Sequence, residues 1–338
     1  MATIKDVAAL AGVSTSTVSF VLNGKAQKMK VSDETAKKVQ EAAARLDYRP
    51  SSAARRLRKA VAERPIIALY WPMDSRISYA SLILDCIRIE LERQKMDCDL
   101  VIRGYRSDHL CEQSELEDPS GYSVAIIGAT GTKDSAYIDT LNPTLPIILF
   151  NRRSERFSNV QAEEATAIRD AVQLLSDKGI RRPALFRCSH SYTAYNQRYR
   201  ILTETLSRFG IEIPDDYIIS TEDRYESGAS AARQLLKLKQ KPDALITMTD
   251  TVALGASYVL TREGIRIPQD LQILSFAIGD PALSRFATPS LSVIEMSTKT
   301  MAETAASMAI HRIRSGIILT PESHQVRNRL ILRESCPE

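Results

Sequence analysis

The chain lacks any apolar run of the ~20 residues that a membrane span needs. Its first ten residues, MATIKDVAAL, carry charge where a secretory signal has its apolar core. Export and membrane residence are therefore not expected, and the reading is a cytoplasmic protein. Cysteines are few and scattered (Cys86, Cys98, Cys111, Cys188, Cys336), with no CxxC pair. That excludes a disulfide frame or a zinc knuckle and suggests reduced thiols. The four histidines, His109, His190, His311 and His324, form no HExxH and no close pair. No GxSxG elbow is present, so a serine hydrolase has no support. The stretch GATGTKD (128–134) has a faint phosphate-loop look but lacks the GK[ST] ending. Repeats and low-complexity tracts are absent. No cofactor or metal is called for, and catalytic residues are not expected. The acidic pair Glu163-Glu164 begins a helical pattern and reads as complementing a helix dipole.

What is present is an uneven charge. Residues 1–60 carry 12 Lys/Arg against 5 Asp/Glu, formally +7, and the remaining chain carries 33 against 36, or −3. A basic head on a slightly acidic body points to a polyanion partner for the head alone. The head also has a recognisable pattern from Ile4 to Asn23. Thr3 is an N-cap candidate, and Ile4, Val7, Ala8 and Ala11 fall on one helical face. Gly12 can take φ > 0 and turn the chain. Ser14 is a second N-cap candidate, with Val18, Val21 and Leu22 as the apolar stripe behind it. Thr15, Ser16, Thr17, Ser19 and Phe20 form the outward face. A helix of this kind fits a DNA major groove, with its first turn against base edges. The alternative is an ordinary helical hairpin. Ser32 then starts a third helix, DETAKKVQEAAARL, with Ala36, Val39, Ala43 and Leu46 on one face. Tyr48-Arg49-Pro50 ends it.

The segments ATIKDVAALAGVS, TVSFVLN, VSDETAKKV and LDYRPSSAARRLR, in this order at the N-terminus, closely resemble the DNA-binding head of the LacI/GalR family of bacterial transcription regulators. The resemblance implies a helix-turn-helix domain over 1–48 and a hinge helix over 49–60. A helix this short is marginal alone. In the family it pairs across a dimer and wedges a leucine into the minor groove; the matching leucine is Leu57, flanked by Arg55 and Arg58. The DNA-contacting set so implied is Thr3, Ser14, Thr15, Ser16, Thr17, Ser19, Phe20, Asn23, Tyr48, Arg55, Leu57 and Arg58. Phe20 stands where relatives often have Arg or His, and an apolar tip favours a thymine methyl over a guanine edge.

From Pro65 the pattern alternates between strand and helix. Strands are expected at Ile66–Trp71, Asp99–Ile102, Val124–Ile127, Ile147–Phe150, Ala184–Cys188, Tyr217–Ser220, Ala244–Met248, Ile273–Phe276 and Leu330–Leu332. That alternation predicts parallel sheets covered on both faces, and more strands than one core needs. The fold class expected is an all-α helix-turn-helix head plus hinge helix, joined to a two-lobed α/β body with parallel sheets. The resemblance makes that body periplasmic-binding-protein-like over 61–338. Lobe 1 would hold about 65–161 and 295–325, and lobe 2 about 162–294 and 326–338.

The resemblance also implies a ligand cleft between the lobes. Ser78 and Tyr79 match a position after the first body strand that lies against the ligand. Asn151 matches a polar cleft position, Arg198 the arginine that binds a ligand hydroxyl or carboxylate, and Thr249-Asp250 a polar pair at a strand end. The family's acid after its GFDD-like aromatic is replaced by Ala277 in LSFAIGDP, and Asp280 is the candidate substitute. The chain then reads as a ligand-responsive repressor binding a pseudo-palindromic duplex operator. It would act as a homodimer, since the chain stops without the leucine-rich helix that joins some relatives into tetramers. Its effector would be a small sugar or derivative. The alternatives are a solute-binding module, which needs export, and an α/β enzyme, which needs a catalytic constellation.

Overall fold

The computed structural model describes residues 4–22, 26, 29, 31–46, 64–74, 77–117, 121–188, 192–316 and 320–338. Two compact units divide at Arg64 and Pro65.

The first unit is three helices, α1 (Ile4–Ala11), α2 (Thr15–Leu22) and α3 (Asp33–Arg45), which pack on one another. Gly12 adopts φ +65°. Its N–H bonds the Ala9 carbonyl and that of Val13 the Ala8 carbonyl, a doubly bonded C-terminal stop that turns the chain into the second helix. Ser14 caps α2: its Oγ accepts from the Thr17 N–H at 3.1 Å. Ser32 caps α3 through the Thr35 N–H at 3.3 Å. Val7, Ala8, Val18, Val21, Val39, Ala42 and Ala43 form the small core. The caps and stripes expected at Gly12, Ser14 and Ser32 thus have direct counterparts.

The second unit holds two six-stranded sheets. The first is built from β1 (Ile66–Pro72), β2 (Asp99–Tyr105), β3 (Val124–Ile127), β4 (Ile147–Phe150), β5 (Ser158–Glu163) and β11 (Ser323–Arg327). Its order is β11-β5-β4-β3-β1-β2, and all neighbours run parallel. Along β1 the side chains alternate as a pleat requires. Ile67, Leu69 and Trp71 enter one core with α4 (Ile77–Arg93) and α11 (Thr298–Ser315). Ala68 and Tyr70 enter the other, with Leu110, Leu116 and Ile138 of α5 (Thr132–Thr140). Both faces are covered, which is why β1 reads as a continuous apolar run.

The second sheet contains β6 (Ala184–Cys188), β7 (Ile218–Thr221), β8 (Ala244–Thr247), β9 (Gln272–Ala277), β10 (Ser292–Glu295) and β12 (Arg329–Ile331). Its order is β12-β10-β9-β8-β6-β7, parallel except for β12. Helices α6 (Ala165–Asp177), α7 (Thr193–Arg208), α8 (Tyr225–Leu235), α9 (Asp250–Arg262) and α10 (Pro281–Arg285) belong to this lobe. On α8 and α9, glycines let the backbones meet. A Cβ on Gly255 would overlap the Tyr225 carbonyl oxygen, and one on Gly228 the Val252 carbonyl oxygen.

The chain passes between the sheets three times: from β5 to α6, from β10 to α11, and from β11 to β12. Strands β5, β10 and β11 were not among the sequence expectations. Ser158–Glu163 and Ser323–Arg327 are polar, and β11 is a solvent-facing edge. An edge strand need not alternate between apolar and polar, so it leaves no periodic signature.

Candidate functional site

In both sheets the strand order reverses beside the first strand of the lobe, between β1 and β3 and between β6 and β8. Open parallel sheets bind ligands beyond the carboxyl ends of strands at such a reversal. A narrow cleft lies there, with a cavity volume of about 30 Å³. The first lobe contributes Trp71 from the end of β1, Tyr79 from α4, Ala129 and Thr130 from the loop after β3, and Phe150 and Asn151 from the end of β4. The second contributes Tyr192, Ala194, Tyr195 and Arg198 from the start of α7, and Ile278 after β9.

Five aromatics make the walls. Trp71 and Tyr79 meet edge to face at 5.5 Å. The Tyr195 hydroxyl accepts the Cys188 N–H at 2.6 Å, tying α7 to the end of β6, and burial pushes its pKa well above the ordinary phenol value. Two non-glycine residues in the cleft, Ala129 (φ +52°) and Asn151 (φ +55°), are left-handed. Such backbone is costly and clusters at functional sites. Asn151 repays part of that cost: its Oδ1 accepts the Ala162 N–H at 3.1 Å and pins β5.

Arg198 is 2% exposed and is the charged group lining the cleft. Its Nη2 donates to Glu164 Oε1 at 2.8 Å and lies 3.2 Å from Met296 Sδ, while the guanidinium stands over the Phe276 ring at 5.3 Å. Burial acts to lower the guanidinium pKa, but the Glu164 carboxylate outweighs it and the net shift is upward. Glu164 is 7% exposed. In the sequence the acidic pair 163–164 reads as one helix-start feature. The structure separates them. Glu163 caps α6 by accepting the Thr166 N–H at 3.1 Å, and Glu164 turns to the arginine.

The lobes touch beside the cleft. The Thr193 N–H donates to the Thr130 carbonyl at 3.2 Å, and the Ser135 and Thr193 hydroxyls are 3.1 Å apart. The stretch 128–134 forms no phosphate cradle. Asp134 accepts the Gly131 and Leu110 N–H groups, and Asp108 accepts that of Lys133. Carboxylates already occupy the amides that a phosphate would need.

Of the expected effector residues, Tyr79, Asn151 and Arg198 line the cleft. Ser78 is exposed and does not. Thr249 caps α9 through the Val252 N–H, and Asp250 is buried and does not line the cleft. Asp280 is exposed and caps α10 through the Ala282 N–H at 2.9 Å. Trp71, Phe150, Tyr192, Tyr195 and Glu164 were not foreseen. Trp71 and Phe150 carried a usable signal, because each ends a buried parallel strand. In the head, Ser14, Thr15 and Ser16 are exposed, while Thr17, Ser19 and Phe20 are half-buried. Thr3, Asn23, Tyr48, Arg55, Leu57 and Arg58, and with them the hinge helix, lie outside the described residues. Among the described residues, no helix is long and apolar enough to cross a membrane.

A capped three-helix head and a body with a cleft between two mainly parallel sheets define a DNA-binding regulator that takes a small ligand. The chain belongs to the lacI family of bacterial regulatory proteins: it is 30% identical over 318 residues, 93% of each chain, to the ribose operon repressor of Escherichia coli (strain K12). Residues 3–51 match the family model "Bacterial regulatory proteins, lacI family", and residues 172–336 match "Periplasmic binding protein-like domain". The solved LacI family transcription regulator from Clostridium acetobutylicum shares 31% identity, covers 80% of this chain and 100% of its own, and superposes with a TM-score of 0.76. The lac repressor dimer bound to operator and the anti-inducer ONPF shares the fold at 21% identity, covering 100% of this chain and 99% of its own, with a TM-score of 0.69. The protein is a transcription regulator and not an enzyme.

Proposed function

We propose that the protein is a cytoplasmic, homodimeric repressor whose operator affinity is set by a small ring-shaped molecule in the cleft between its lobes. The observation that carries this is the cleft itself. Trp71, Tyr79 and Phe150 from one lobe face Tyr192, Tyr195 and Arg198 from the other. Flat aromatic faces with a few polar groups suit a sugar or a base. Both lobes supply walls, so occupancy favours one lobe arrangement over another, and by linkage the ligand and the operator must alter each other's affinity equally. On the head, the hydroxyls of Ser14, Thr15, Ser16, Thr17 and Ser19, with Phe20, would read base edges. Residues 49–60 would carry the Leu57 wedge.

A second copy of the chain has a matching requirement. Ile77, Ile89 and Ile102 are exposed on the first lobe, and Tyr225, Tyr258, Leu283 and Phe286 on the second. Phe286 is 75% exposed. Tyr225 and Tyr258 line one shallow hollow between α8 and α9, and exposed apolar groups of this kind suit an interface between copies. The test has two steps. Selection from random duplex DNA should return a pseudo-palindrome. A sugar or nucleoside that raises the thermal midpoint should then change affinity for that duplex; at 100 times Kd it adds about 2.7 kcal/mol to the native state. A cleft ligand that leaves operator affinity unmoved would sink the proposal.

A further inference from the structure

The buried ion pair beside the cleft carries a consequence for the charge of the ligand. An arginine in a closed pocket ordinarily attracts a carboxylate or a phosphate, since its planar fork matches both. Here one nitrogen of the fork, Nη2, is engaged by the protein itself. Glu164 Oε1 holds Nη2 at 2.8 Å, and both side chains are more than nine-tenths buried. The lining contributes no other charge: Trp71, Tyr79, Thr130, Phe150, Asn151, Tyr192 and Tyr195 are neutral. Cleft and pair together therefore sum to zero. A second anion would have to share one guanidinium with Glu164, and two carboxylates repel strongly where water is excluded.

The unused atoms point the same way. Arg198 Nε, Trp71 Nε1 and Glu164 Oε2 are buried with no hydrogen-bond partner among the described residues. Buried polar atoms are rarely left so, and the two that belong to cleft-lining residues are Arg198 Nε and Trp71 Nε1. Both of these N–H groups lie buried within the walls of the cleft. A hydroxyl or ring carbonyl satisfies such donors without bringing a charge.

We propose that Glu164 sets the charge class of the ligand: by holding Arg198 in a buried ion pair, it makes the cleft a receptor for an uncharged, ring-bearing molecule and excludes the carboxylate and phosphate forms of the same ring. This rests on reading the cleft as the effector site. Glu164 does not line the cleft. It acts through Arg198 as a positioning and specificity-determining residue.

The experiment adds inorganic phosphate or glucuronate to the full chain and follows the thermal midpoint against chloride at equal ionic strength. Wild type should show no rise specific to either anion. Glu164→Gln frees the guanidinium, so phosphate and glucuronate should then raise the midpoint, with an apparent Kd at least about tenfold below wild type. Adding Arg198→Met to Glu164→Gln should abolish that gain. A merely structural role for Glu164 would lower the midpoint without creating an anion response. No gain in Glu164→Gln, or a gain that survives Arg198→Met, overturns the assignment. If Glu164→Gln does not fold, the wild-type arm decides: an anion-specific rise that Arg198→Lys removes overturns the proposal, and its absence upholds it. Operator binding is measured separately. Anion-loaded Glu164→Gln with unmoved operator affinity would defeat the effector reading and leave the charge assignment standing.

Discussion

At the scale of single residues, the least comfortable group described is Asp250. Its side chain is 2% exposed, and Oδ2 has no hydrogen-bond partner among the described residues. Burial, with the Asp223 carboxylate adding to it, pushes its carboxyl up to about 6 from an ordinary 3.8. The native state therefore holds this proton more tightly than the unfolded chain does. The contribution to stability is fully present below about pH 4 and is lost as pH rises through about 6. Asp250→Asn should accordingly raise stability at pH 7 to 8 by on the order of 2 kcal/mol, with the difference shrinking toward pH 4. Urea melts of both proteins across that range measure it, and a gain that persists at pH 4 would mean the carboxyl is not the cause. The same scale shows what a linear chain conceals. Arg198 was legible as a cleft residue from its match to a family position. Its partner was not, because Glu164 lies 34 residues away and its helix-start context offered a sufficient local explanation. A pairing made by tertiary packing has no periodicity to read.

At the scale of elements, legibility followed periodicity and punctuation. The helix ends at Gly12, Ser14 and Ser32 could be placed because each is a local device with its own residue type. The buried strands β1, β3 and β4 stood out as apolar runs. Strands β5, β10 and β11 did not, since neighbours and crossings rather than composition hold them in the sheets. The pairing of α8 with α9 was equally invisible, yet it makes a firm demand. Gly255→Ala places a methyl against the Tyr225 carbonyl oxygen, where backbone cannot yield as a side-chain tip would. Overpacking of this kind should cost about 1–3 kcal/mol. Chemical denaturation should show a lower midpoint with an unchanged slope, and a neutral result would mean that the two helices slide apart freely.

At the scale of the whole molecule, charge and surface set the expectations. The +7 on residues 1–60 against −3 elsewhere should make nonspecific duplex binding a property of the head. Affinity should fall on the order of 10³-fold between 50 and 200 mM salt if about six phosphates are neutralised. Fluorescence anisotropy reads this directly, and equal binding by residues 65–338 alone would refute it. Assembly should depend on the apolar groups of the second lobe. Tyr258, 60% exposed on α9, becomes a charge in an apolar interface on Tyr258→Glu. Sedimentation should show the variant shifted toward monomer, with weakened operator binding and an intact fold by circular dichroism. An unchanged dimer would move the interface elsewhere.

The three passages between the sheets bear on how the protein is made. A ribosome emits the head first, as one uninterrupted segment that needs nothing downstream for its core. The first lobe has no such independence. After residue 163 has emerged, five of its six strands exist. The helix that covers one face, with Met301, Ala302, Ala305, Ala306 and Met308 in its core, waits for residues 298–315. The edge strand β11 comes later still, and β12 of the other lobe follows it. During most of translation a nascent chain therefore carries a finished nucleic-acid-binding module tethered to a half-clad sheet. Premature stops between about residues 163 and 298 would release that hybrid, soluble at one end and adhesive at the other, with a head able to occupy DNA and an incomplete body to respond to a ligand.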